Sequence, residues 1–78
     1  MIDIGRIAEQ VRRLPQGQVD AMIQSLGESR MTYMQEAIAT CYDRMKCDAL
    51  GIDYTKVMQS DVRKALLYVC VCEGKVEI

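Results

Sequence analysis

The chain contains no histidine, tryptophan or phenylalanine among its 78 residues, and only one proline. Without imidazole, neither a Cys–His nor a Ser–His nucleophile pair can be assembled, and the usual general base is missing. A histidine metal ligand is excluded for the same reason. Charge of one sign is lacking too: ten Lys and Arg stand against eleven Asp and Glu, for a net charge of -1. The acids are spread along the chain with basic residues between them, which disfavours both a phosphate-binding basic surface and an acidic mimic of nucleic acid. Each acid falls on the polar side of an amphipathic segment, the ordinary place for a solvated charge, so paired-carboxylate catalysis has no support.

The glycines are isolated, at Gly5, Gly17, Gly27, Gly51 and Gly74, so no glycine-rich phosphate loop is present. The longest apolar run, Ala65 to Cys72, is far shorter than the roughly 20 residues that span a bilayer. The first residues, Met1 to Arg6, do not form a basic leader followed by an apolar stretch, as a signal peptide would. These readings predict a cytoplasmic protein with no membrane association and no small-molecule substrate.

In that compartment Cys41, Cys47, Cys70 and Cys72 are expected as free thiols. Their spacing, Cys-x5-Cys and Cys-x-Cys, does not match paired Cys-x2-Cys zinc knuckles. On helices the first pair points about 120° apart and the second nearly opposite ways. Neither a metal nor a cofactor is expected. Cys41, Cys70 and Cys72 read as small buried hydrophobes, whereas Cys47 falls on the polar side of its helix as the thiol most open to solvent.

Half of the residues are apolar, with six Met and four Tyr, and they recur at helical spacing. Ile4, Ile7, Ala8, Val11 and Leu14 make one stripe, and Pro15 ends that helix. Val19, Met22, Ile23 and Leu26 make a second, with Gly27 placed as a left-handed terminator. From Ser29 to Leu50 a single long helix is predicted, capped by Ser29 and ended by Gly51, with a core stripe of Met31, Met34, Ile38, Cys41, Tyr42, Met45 and Ala49. A short turn capped by Asp53 follows, and Ser60 and Asp61 begin a last helix that reaches Glu73 and stops at Gly74.

The sum is an all-α fold, a single-domain bundle of four to five helices with a short extended C-terminal tail. The alternative is an α+β fold, in which Tyr68 to Cys72 and Lys75 to Ile78 pair as a hairpin.

Two features bear on partners. The run from Ser60 to Val69, followed by Glu73-Gly74-Lys75-Val76-Glu77-Ile78, resembles the recognition helix and first wing strand of winged-helix DNA-binding proteins. That resemblance covers less than a quarter of the chain and implies that Arg63 and Lys64 face DNA. The overall charge opposes it, so a DNA-binding regulator is the second reading.

The first reading rests on apolar side chains that lie off the core stripes. Tyr33 falls with Cys47 on the polar face of the third helix, and Leu67 and Val71 point about 140° and 180° from Val62. Tyr33, Cys47, Leu67, Tyr68 and Val71 are therefore expected at a protein partner or a second copy, unless the fold itself covers them. The function expected is a non-enzymatic regulator or inhibitor that docks on a larger protein or on itself. In size and composition the chain resembles virus- and mobile-element-encoded inhibitors, the anti-CRISPR class among them.

Overall fold

A computed structural model describes residues 3–78. The order is α1 (Ile4–Arg13), α2 (Gln16–Ser25), a 3₁₀ segment (Gly27–Tyr33), α3 (Met34–Thr40), α4 (Arg44–Leu50) and α5 (Gln59–Cys72), with no strand among the described residues. The all-α prediction holds.

The first two helices form where the stripes place them. Asp3 caps α1 by accepting from the Arg6 N–H at 3.0 Å, and Arg12 and Arg13 complement the dipole at its other end. Ala8 and Val11 are buried, and Val19 and Ile23 anchor α2. Gly27 takes φ 61°, as a terminator should, but the chain resumes at once as the 3₁₀ segment.

The predicted helix from Ser29 to Leu50 does not exist as one piece. Ser29 does not cap it, because its hydroxyl donates to the Leu26 carbonyl at 2.6 Å. The break between α3 and α4 falls at Thr40-Cys41-Tyr42-Asp43, a run of weak helix formers. Thr40 bonds back to the Glu36 carbonyl at 2.8 Å, a contact that bends helices. Asp43 then leaves helical geometry and caps α4, accepting from the Lys46 N–H at 3.2 Å, which contributes about 1 kcal/mol. Carbonyls orphaned at the break are recovered by tight bonds from Tyr42 and Asp43, each 3.1 Å long, and by the Cys47 thiol, 3.2 Å from the Cys41 carbonyl.

Gly51 ends α4 as the sequence suggests. Its φ of 74° lets Ile52 donate to the Cys47 carbonyl at 2.8 Å and Gly51 to Asp48 at 3.4 Å, the paired bonds of a Schellman turn. Asp53 organises the next turn, accepting from the Thr55 N–H at 3.0 Å and its hydroxyl at 2.6 Å. Asp61 begins α5 by accepting from the Met58 N–H at 3.0 Å. A second Schellman turn ends that helix: Gly74 takes φ 73°, and Lys75 donates to Cys70 at 2.9 Å. The chain then bends, with Val76 against the core, so the hairpin does not form.

The core is organised around α5, which packs on α1, α2, α3 and the 3₁₀ segment, while α4 packs on α1. Six consecutive residues of α5, Ala65 to Cys70, are buried. A helix that is apolar on every side needs neighbours on every side, and this one has them.

Candidate functional site

The surrounded α5 relocates the expected partner residues. Leu67 is fully buried and Tyr68 is 3% exposed. Val71 and Tyr33 are half-buried against the same core. The cover for Leu67 and Tyr68 is internal, whereas Val71 and Tyr33 keep part of their surface open to solvent. Cys47 is corrected as well: it is fully buried instead of solvent-facing, because the turn at Asp43 rotates α4 and brings its polar-side position inward. Burial raises the thiol pKa of Cys41, Cys47 and Cys70, keeping all three protonated.

Cys72 is half-buried, and its pKa is raised by the same cause. A thiol reagent added to the native chain is therefore expected to modify Cys72 first, with Cys41, Cys47 and Cys70 reacting only at the rate of unfolding. Rapid labelling of Cys47, read by peptide mass, would show that α4 is not seated as described. Among the described residues no three His, Cys, Asp or Glu side chains come together as a metal site.

Other residues of the segment face outward. The buried positions of α3 and its end are the small residues Ala37, Thr40 and Cys41, facing inward in a segment that packs on α5. Of the predicted core stripe Cys41 is buried and Met34 packs against the core, but the other large members are outside: Met31 is 64% exposed, Ile38 45%, Tyr42 81% and Met45 82%. Reading the segment as one helix hid them, since large apolar residues at helical spacing normally mark the core. Two signals pointed the other way: the parallel series of small residues at Ala37, Thr40 and Cys41, and an aspartate suited to capping in mid-segment.

Met45 also borders a depression between α1 and α4. Ile4, Gly5, Ala8, Met45, Ala49 and Tyr68 line it together with the charged Asp43 and Lys46, and it holds about 300 Å³. Of these residues Ala8 is buried, while Ile4, Gly5 and Met45 are exposed. Asp43 and Lys46 lie 4.0 Å apart, each side chain partly exposed, too loose a pair to neutralise either group fully. A smaller hollow continues past Lys46 towards Cys72 and Glu73. Beside this face the Arg44 guanidinium stacks 4.8 Å from the centre of the Tyr54 ring and donates to its hydroxyl.

The residues implied by the winged-helix resemblance lie on the surface or partly so. Arg63 is exposed, 3.9 Å from Asp20, and Lys64 is half-buried. Both sit at the start of the core helix, and the segment after Gly74 forms no wing strand. No described helix is long and apolar enough to cross a membrane. Comparison with known protein families, curated proteins and solved structures finds no match to this chain.

Proposed function

We propose that the chain is a binding module, a regulator or inhibitor with no reaction of its own, which docks on another protein through the outward face around Ile4, Ile38, Tyr42 and Met45. The observation that carries this reading is the solvent exposure of the large apolar side chains Ile4, Ile38, Tyr42 and Met45. Side chains of this size left in water gain nothing for the monomer, whereas Met and Tyr are enriched where proteins meet.

The test is affinity capture with the intact chain beside Met45→Glu and Tyr42→Ala, both altered at exposed positions that leave the core alone. The expected result is one stoichiometric complex with the parent chain, weakened by about 1 to 2 kcal/mol or more in the variants, while their melting curves match the parent's. Complexes unaffected by either substitution would refute this face as the docking surface.

A further inference from the structure

We infer that Cys41 and Cys47 are a dithiol–disulfide couple, which low-molecular-weight disulfides oxidise to a single bond that clasps the turn between α3 and α4. The inference goes beyond the docking role and does not depend on it. On one continuous helix these two residues would point about 120° apart. The turn at Asp43 brings them together instead. Cys47 Sγ lies 3.2 Å from the Cys41 carbonyl oxygen and 3.5 Å from that of Thr40. With ordinary backbone dimensions the first contact holds the sulfur within about 6 Å of the Cys41 Cα. Disulfides join residues whose Cα atoms are about 4.4–6.8 Å apart, so a turn that already holds the second sulfur this near leaves side-chain rotation to close the gap.

Both thiols are enclosed, so the reagent meets them when the turn opens. Helix α4 is seven residues long and packs mainly on α1, which makes that opening a local event. One thiolate then attacks the sulfur–sulfur bond of the reagent and releases half of it as a thiol; the second thiolate attacks the protein sulfur of that mixed disulfide and releases the other half. Two protein thiols lose two electrons and two protons, and the reagent leaves as two thiols. Closing the bond gives up weak thiol hydrogen bonds, and the Thr40 carbonyl keeps the Asp43 N–H at 3.1 Å. Cys70 and Cys72 offer no such pair, because they sit two residues apart on α5 and point nearly opposite ways. The ring that the clasp closes contains Tyr42 and Met45, so oxidation holds these exposed side chains on a covalent loop.

The test equilibrates the intact chain with mixtures of reduced and oxidised glutathione, in native buffer and in concentrated urea, then quenches with acid, blocks free thiols and maps the tryptic peptides by mass. Cleavage after Arg30, Arg44, Lys46 and Lys56 places Cys41 and Cys47 on separate peptides, 31–44 and 47–56, while Cys70 and Cys72 share 65–75. The expected result is peptides 31–44 and 47–56 joined in a monomeric chain whose helical signal is that of the reduced form. The joined pair should be absent in Cys41→Ala and in Cys47→Ala.

The bond should also form at least about tenfold more favourably in native buffer than in urea, because the fold adds to what the sequence spacing alone supplies. By linkage the same factor raises the folding constant of the oxidised chain. Thiols that stay reduced in native buffer, or stop at mixed disulfides with glutathione, at ratios where the chain in urea has closed the bond, overturn the inference. Equal constants in the two solvents overturn it too, as does closure that costs the helical signal, or a bond from either residue to Cys70 or Cys72.

Discussion

Leu67→Asp is expected to abolish the cooperative unfolding transition at neutral pH, leaving a chain with little fixed helical signal. Leu67 is fully buried in α5, the helix that α1, α2 and α3 all contact. An aspartate there must either remain charged without a partner or take up a proton at a large cost, and either option takes several kcal/mol from the folded state. A domain of this size holds only a few kcal/mol in reserve. The same charge at Met45, out in solvent, should leave the melt of the monomer nearly unchanged. Circular dichroism melts of the two variants, taken at several concentrations to separate folding from association, decide the matter. A Leu67→Asp chain that melts like the parent would mean that α5 is not the centre of the fold.

The second large effect lies at alkaline pH. Burial pushes the Tyr68 hydroxyl up to about 12, with the neighbouring Cys72 sulfur adding to the shift. In the unfolded chain a tyrosine ionises near 10, so between these values the unfolded state has released a proton that the folded state still holds. The stability is therefore complete below about pH 10 and lost as pH rises towards 12, by about 2 to 3 kcal/mol. Cys41, Cys47, Cys70 and Cys72 act with the same sign, because each has a raised pKa in the folded chain. Their contribution is lost from the ordinary thiol range upward.

Urea midpoints should thus be level from about pH 6 to 8, fall above about 8.5, and fall faster beyond 10. Tyr68→Phe should remove the steeper part. A midpoint constant to pH 11 would require Tyr68 and the thiols to be solvated in the folded state.

The fold was legible where the apolar period and the punctuation agree. α1, α2 and α5 follow their stripes, and Gly27, Gly51 and Gly74 all take the left-handed conformation expected of helix terminators. The segment between Ser29 and Leu50 was misleading for a physical reason. Periodicity identifies a face but does not say which way it points, and here two series share one segment. The larger residues would gain more by burial, but the inward positions hold alanine, threonine and cysteine beside a central helix that is itself apolar all round.

The local turn chemistry of Asp43 then decided the phase of α4, drawing Cys47 inside and leaving Met45 out. The site was legible only as a surplus of apolar residues. That Leu67 and Val71 needed cover was apparent from their angles, but which neighbours supply it depends on tertiary packing that one sequence does not specify.

The division of sulfur between inside and outside also sets how the molecule meets oxidants. Three of the four thiols are enclosed, and two of them, Cys41 and Cys47, lie at the hinge of the α3–α4 turn, whereas the thioethers of Met31, Met45 and Met58 stand in solvent. A mild peroxide reaches the thioethers first. Each sulfoxide formed is polar and is reversible by reductases, so Met45 oxidation would wet the apolar face while the interior kept its packing. Oxidation of this chain therefore begins on its exposed surface and reaches the enclosed thiols only when the helices open.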